Sequence, residues 1–427
     1  MALSGSKLRY RPLNLARWLI WGLTALVMAV LPQLFTQGFA LTLMSQMGVA
    51  IIFALSYNML LGQGGMLSFG HAVYSGLGAY IAVHTLNLAS KGQIWMPVPL
   101  LPLVGGLAGA FFGVLFGYVT TKRAGTTFAM ITLGIGELVF SCSLMFPEFF
   151  GGEGGITTNR VFGEPFLGIT FGPSVQVYYL IAFWCLVSMA LMYAWSHTPL
   201  GRIANAVRDN PERAEFIGYD TQRVRWLTLI ISTFFAGIAG GLSMINFEIV
   251  TAENVGALRS AYVLIATFIG GIGFFFGPII GAVIFTFFVV ALSGYTNAWQ
   301  FYLGLFFVLM VMYAPGGIAS LVMMQVQLIS RKRFSRIAPH YLSAGACGLL
   351  LLAALIFTVE MTYKVSVDSA EGTVMSLFGV EFDASAALPW AIAAGLWIVG
   401  GWLFNVTRKR VARVWGEIQA EFLEART

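Results

Sequence analysis

The chain has 427 residues, 58% of them hydrophobic and only 10% charged, with a net charge of +6. Soluble domains carry roughly 25% charged residues, and no globule hides this much apolar surface from water. Lipid is the solvent that fits, so the basic excess is read first as membrane topology, and no nucleic-acid partner is expected.

Lys7, Arg9, Arg11 and Arg17 open the chain, and an apolar run extends from Leu15 to Leu34. The run is too long for a signal peptide. Pro32, Gln33 and Leu34 do not form a small-x-small cleavage site, so an uncleaved first span over 15–35 is expected. A bilayer core of about 30 Å needs about 20 helical residues. Runs of that kind follow at 40–61, 66–88, 97–120, 126–146, 175–196, 226–247, 260–275, 277–292, 299–322, 342–359 and 386–406. The expected fold class is an all-α polytopic membrane protein with about 10–12 transmembrane helices. Gly277-Pro278 divides the two short runs at 260–292, which suit either two crossings or a re-entrant hairpin. Cys142, Cys185 and Cys347 sit in apolar runs without metal spacing and read as small buried hydrophobes.

With the N-terminus inside, the alternate connections gather the basic residues. Lys122 and Arg123, the stretch Arg202–Arg225, then Arg331, Lys332, Arg333 and Arg336, and finally Arg408, Lys409, Arg410 and Arg413 all fall inside. The outside connections hold Glu148, Glu153 and Glu164 with Arg160, then Glu248 and Glu253 with Arg259. The last of them holds Glu360, Asp368, Glu371, Glu381 and Asp383 with Lys364. This alternation predicts both termini in the cytoplasm.

Two glycine-rich stretches stand out, LGQGGMLSFGHAVYSGLGAY at Leu61–Tyr80 and IGGIGFFFGPIIGA at Ile269–Ala282. Small residues three or four apart let helices pack backbone to backbone or break where the chain lines a cavity. Their placement in the two halves of the first 325 residues suggests an inverted repeat. The expected organisation is a transmembrane core over 1–329 and an extension over 330–427 with two more spans. The tail from Arg408 has Val411, Val414, Trp415, Ile418 and Phe422 at helical spacing, suited to the membrane surface or to a partner.

The largest basic interruption, 198–225, carries a short helix over Pro211–Ile217. Asn210 supplies the cap, Pro211 occupies the first helical position, Glu212 and Glu215 favour the dipole, and Gly218 suits the stop. Phe216 and Ile217 are left exposed unless something covers them.

There is no GxxxxGK[ST], HExxH or GxSxG motif and no Cys/His metal spacing. No cofactor, metal site or catalytic residue is expected, and energy must come from a partner chain or an ion gradient. Polar residues within spans are the candidates for a translocation path. Asn58, Gln63, Ser68, His71 and Tyr74 cluster at the first glycine-rich stretch, with Ser68, His71 and Tyr74 at helical spacing. Glu137 and Thr132 lie in the fifth span. Interhelical hydrogen bonding is the plainer reading of the same residues.

GRIANAVRDNPERAEFIGYDTQRVRWLTLIISTFFAGIAGGL resembles the cytoplasmic-loop signature of LivM-type branched-chain amino-acid ABC transporter permeases. The first glycine-rich stretch, GTTFAMITLGIGEL, GGEGGIT, IGGIGFFFGPIIGA and YAPGGIASLV are similar to that family in the same order, over roughly 40–325. The segment Phe247–Gly256 departs from it, with Glu248 and Glu253 where the family tends to small residues and a proline. The last hundred residues lie outside the pattern.

The resemblance implies an importer subunit of a bacterial inner membrane. Its partners would be a second, LivH-like permease, two cytoplasmic ATPases that bind the ATP, and a periplasmic substrate-binding protein. It also implies that the loop helix docks on the ATPase through Arg208, Asp209, Asn210, Glu212, Arg213, Glu215 and Gly218. Branched-chain amino acids are the family default, with other amino acids, amides, urea and aromatic acids taken by related permeases. A stand-alone ion-coupled transporter or channel using sites such as Glu137, and a membrane enzyme, are the competing readings.

Overall fold

The computed structural model describes residues 15–162, 168–330, 334–367, 372–377 and 379–424. Lys7, Arg9, Arg11, Glu164, Arg331, Lys332, Arg333, Asp368 and Glu371 lie outside the described residues, as does the Phe422 side chain.

The chain is an all-α polytopic membrane protein. Its helices are α1 (Leu15–Leu34), α2 (Gly38–Asn58), α3 (His71–Ser90), α4 (Leu101–Thr120), α5 (Thr126–Met145), α6 (Pro147–Phe150), α7 (Ser174–Ser196), α8 (Pro199–Asp209), α9 (Pro211–Phe216), α10 (Thr221–Phe247), α11 (Ala257–Gly270), α12 (Gly277–Thr286), α13 (Trp299–Tyr313), α14 (Gly317–Ser330), α15 (Phe334–Ser366) and α16 (Ala387–Glu424). Among the described residues eight segments are long and apolar enough to cross a bilayer, and α13 with α14 make a ninth if counted as one broken span.

The chain divides into two compact units, 1–291 with 307–319, and 292–306 with 320–427. In the first, α10 is the central helix, with 83% of its most apolar window buried. It packs on α4, α3 and α2. Small residues make this close approach possible. A Cβ at Gly240 would overlap the Ser75 carbonyl, and one at Gly237 would overlap Gly105. Two buried hydroxyls of α10 close their hydrogen bonds on backbone carbonyls inside the bundle, because lipid offers no partner. Ser232 Oγ donates to the Ser56 carbonyl at 2.7 Å, and Thr228 Oγ1 to the Val224 carbonyl at 2.8 Å.

Helices α11 and α12 pack against each other through their glycines. A Cβ on Gly270 would overlap Gly277, and one on Gly281 would overlap the Ala266 carbonyl. Gly271, at φ +107°, makes the turn away from α11, and Gly317, at φ +69°, sits against it. At 14 residues α11 rises about 21 Å, short of a full hydrocarbon core.

Two strands, β1 (Ile156–Thr157) and β2 (Ile249–Val250), pair antiparallel and tie the α6–α7 connection to the end of α10. Arg160 locks the same place. Its guanidinium donates to the carbonyls of Phe171 at 2.8 Å, Ile245 at 3.0 Å and Gly172 at 3.2 Å, while its backbone N–H donates to Glu248 Oε1 at 2.9 Å.

In the second unit α15 and α16 pack side by side, joined by a hairpin of β3 (Val374–Leu377) and β4 (Val380–Asp383) with Val374 opposite Asp383. Phe357 and Phe382 stack at 5.0 Å beside buried Met361 and Ala393.

Several boundaries differ from those read off the sequence. The span expected at 66–88 begins at His71, because 64–70 is irregular backbone turning through Gly65 at φ +64°. The span expected at 299–322 breaks at 314–316, where Pro315 cannot supply an N–H to the helical ladder. The basic tail is not separate: α16 runs without interruption to Glu424. Its Ile418, Val414 and Trp415 pack with Ile337, Tyr341 and Leu328, and Arg336 pairs with Glu417 at 2.7 Å and Glu421 at 2.8 Å.

Candidate coupling and translocation site

The first glycine-rich stretch is a break in the bundle. Helix α2 ends in a π turn, Met59–Gln63, and the chain then runs irregularly to His71. Wide turns of this type loosen the normal ladder and often mark functional positions. Gly62 is required there, since a Cβ would overlap the Asn58 side chain and crowd the Ile272 carbonyl.

The side chains around the break are held by α2 and α3, which flank it, and by α5 and α11. Ser56 Oγ donates to the Phe53 carbonyl at 2.7 Å and lies 3.0 Å from His71 Nε2. With the hydroxyl proton spent on Phe53, the imidazole takes the tautomer that donates from Nε2. His71 Nδ1, Ser68 Oγ and Asn58 Oδ1 are buried with no hydrogen-bond partner among the described residues. Tyr57 donates to the Ser68 carbonyl at 3.0 Å, and Ser260 Oγ accepts from the Ala72 N–H at 2.9 Å. Thr132 Oγ1 accepts from the Phe69 N–H at 3.2 Å and donates to the Ala129 carbonyl at 2.9 Å. The His71 ring stacks on Phe53 at 5.5 Å and meets Tyr57 and Tyr74 edge-on at 5.2 and 6.2 Å.

Ser68, His71, Tyr74 and Thr132 are therefore gathered at one place, and Asn58, at the end of α2, lies beside Gly62 on the π turn. Ser68 reaches it from the irregular segment rather than from the face of α3. Gln63 is only part-buried and lies on the π turn. Glu137 is not gathered: it is exposed on α5, off the buried stripe of Phe128, Ala129, Thr132, Gly136 and Val139.

The connection between α7 and α10 holds two helices where the sequence suggested one. In α8, Thr198 caps the N–H of Gly201 at 3.2 Å, and Gly201, Ala204 and Val207 form the buried side. Leu200 and Ile203 pack against the core beside them, so α8 is amphipathic, with its basic residues on the outer face. In α9, Asn210 caps the Arg213 N–H at 2.9 Å. Gly218 at φ +91° ends it, with the Tyr219 N–H donating to the Ala214 carbonyl at 3.1 Å. Glu215 accepts from Thr221 Oγ1 at 2.7 Å, fixing α9 to the first turn of α10. The helix stops at Phe216. Phe216 is 90% exposed and Ile217 67%, and Glu212, Arg213 and Gly218 are exposed beside them.

Arg208 joins the two places. Its guanidinium donates to the Gly62 carbonyl at the π turn and to Asp209 Oδ1 at 2.9 Å, and its aliphatic stem lies against Gly65. Arg208, a docking candidate from the family resemblance, is exposed on α8 with its side chain 38% accessible, and its guanidinium also reaches the Gly62 carbonyl. Ser56, Ser232, Ser260 and Arg259 also belong to this region and carry no distinguishing pattern in the sequence.

A polytopic helix bundle broken at a glycine-rich turn, with α8 contacting the break through Arg208, suits a membrane transport protein. The family model for the branched-chain amino acid transport system permease component matches residues 39–315. The high-affinity branched-chain amino acid transport system permease protein LivM of Salmonella typhimurium is 28% identical over 303 residues, 66% of this chain and 70% of that one. Its Escherichia coli K12 counterpart is 28% identical over 301 residues, with the same coverage. The galactose/methyl galactoside import permease protein MglC of Salmonella typhimurium is 26% identical over 61% of this chain and 80% of its own. No solved structure matches the chain. The chain belongs to the branched-chain amino-acid transport permease family and is a permease subunit of an ABC importer.

Proposed function

We propose that this chain forms the translocation path of an importer for branched-chain amino acids or related small solutes together with a second, LivH-like permease. Two cytoplasmic ATPases, which bind the ATP, drive it, and a substrate-binding protein delivers the solute. Helix α9 is the element that docks in the ATPase groove, through Phe216 and Ile217 with Asp209, Asn210, Glu212, Arg213, Glu215 and Gly218 around them. A short rigid helix with two exposed apolar side chains suits helix-in-groove recognition. In this arrangement both termini lie in the cytoplasm, the core spans 1–329, and 330–427 is an extension. The polar residues at the α2–α3 break, Asn58, Gln63, Ser68, His71, Tyr74 and Thr132, line or brace the path, and Glu137 faces away from them.

The observation that carries this reading is the Arg208 contact with Gly62. It places a hydrogen bond between the docking segment and the broken helix, so displacement of α8 and α9 acts directly on the π turn. The test is reconstitution. The chain, its neighbouring permease and ATPase are assembled in vesicles with the cognate binding protein, and ATP-dependent uptake of leucine is measured. Uptake by this chain alone under a proton or sodium gradient would replace the reading with a secondary transporter.

A further inference from the structure

The first unit holds a cavity of about 200 Å³ between the first half of α2, the end of α10, α11 and the region after α12. A single water needs only about 10–15 Å³ by this measure, so there is room for a small organic solute. Its lining is mostly apolar, with Phe53, Phe247 and Phe285 among it, and Gln46 and Thr286 add neutral polar groups. Phe53 is also the ring stacked on His71, so the cavity adjoins the polar residues of the α2–α3 break.

One cation lines this apolar space. Arg259 Nη2 donates to Ser243 Oγ at 3.2 Å, and Nη1 donates to Asn254 Oδ1. Both partners are neutral. Among the described residues no carboxylate pairs with Arg259, and no acidic side chain lines the cavity. A part-buried guanidinium without a counter-charge is costly, and its planar fork matches a carboxylate in two-point contact. Ser243 and Asn254 hold the fork in place before any anion arrives. The walls offer an apolar body its burial. An ammonium group finds no opposing charge.

We infer that the Arg259 cavity is a binding site for small apolar carboxylates, in which the carboxylate and the hydrocarbon body are recognised and the amino group is not. The inference rests on the proposed import function and narrows its substrate chemistry. A branched-chain amino acid and its deaminated acid bind with similar strength, while the matching amine does not.

The test uses the full-length chain in nanodiscs of zwitterionic lipid, without ATPase or binding protein, and measures equilibrium binding of radiolabelled 4-methylpentanoate. Saturable binding is expected, displaced by leucine and not by 3-methylbutylamine or inorganic phosphate. Arg259→Gln weakens it about ten- to a hundredfold, as loss of a charge-assisted contact does, and Arg259→Lys restores part of it. Equal competition by the amine, equal competition by phosphate, unchanged binding in Arg259→Gln, or no saturable binding to the wild-type chain would each overturn the inference. The competition series needs no variant and stands if Arg259→Gln fails to fold. Failure here leaves ATP-driven uptake by the assembled transporter untouched, so the two proposals fail separately.

Discussion

Arg208, at the end of α8, donates its guanidinium to the backbone carbonyl of Gly62, 146 positions earlier in the chain and within the π turn that ends α2. A charged donor on an irregular turn is worth more than a neutral one, about 1.5–3 kcal/mol. Arg208→Ala is expected to leave α9 and its exposed side chains in place, so ATPase still co-purifies. Uptake per ATP hydrolysed falls by roughly tenfold, the change that about 1.4 kcal/mol of coupling corresponds to. Arg208→Lys keeps the charge but loses the fork and recovers only part. Simultaneous measurement of hydrolysis and uptake in proteoliposomes checks this, and unchanged stoichiometry in Arg208→Ala would sink it.

That contact also marks how far the sequence could be read. The long apolar runs stand out because lipid demands them, and the caps of α9 are local signals, from Asn210 to the positive-φ Gly218. The break at Leu61–Tyr80 is visible from its glycines alone. What joins these pieces is not local. Ser260 reaches Ala72 across 188 positions and Ser232 reaches Ser56 across 176, and no periodicity encodes such pairs. Helix α8 has Leu200, Ile203, Ala204 and Val207 at helical spacing, but they are interleaved with Arg202 and Arg208, which read first as a basic loop. The Arg336 pairs with Glu417 and Glu421 likewise turn an amphipathic tail into the end of α16.

Phe216 is the plainest test of docking. With 90% of its surface exposed, it contributes nothing measurable to the packing of its own unit. Phe216→Asp should leave the melting temperature of the isolated chain within a degree or two and abolish ATPase co-purification, because a charge is placed in an apolar groove. Glu215→Lys should act more weakly on docking but also release α9 from Thr221, whose hydroxyl it accepts at 2.7 Å. Pull-down of the ATPase with each variant, beside a melting curve, separates the two effects. Retained co-purification in Phe216→Asp would remove α9 from the interface.

Gly240 tests the packing of α10. A Cβ there would overlap the Ser75 carbonyl, which belongs to the backbone of α3 and cannot rotate away. Gly240→Ala is expected to destabilise the chain by about 1–3 kcal/mol through overpacking, read as a lower melting temperature in detergent. Gly134 is the control, since a Cβ there meets nothing within 4 Å. Gly134→Ala lies in the interior of α5 and should be stabilising by about 0.5–1 kcal/mol. Similar melting temperatures for the two variants would contradict the close α3–α10 approach.

Asp383, at the end of β4, gives the second unit a pH dependence. The Thr373 hydroxyl and the backbone and side chain of Ser385 donate to its carboxylate and hold it below the usual carboxylate range. The Ser385 donors lie at 2.9 Å and 2.7 Å. Because the folded group binds its proton less readily than the unfolded one, the turn is fully stabilised above the ordinary Asp value of about 3.9. That stabilisation is lost as pH falls through the depressed folded value. The carboxylate is exposed, so the effect is local to the hairpin. Amide exchange over 373–386, corrected for intrinsic rates, should show protection that is flat from neutral pH down to the ordinary Asp value and declines below it. Asp383→Asn removes the titration, so its protection stays level through the same range. A decline of equal size in Asp383→Asn would assign the acid sensitivity to another group.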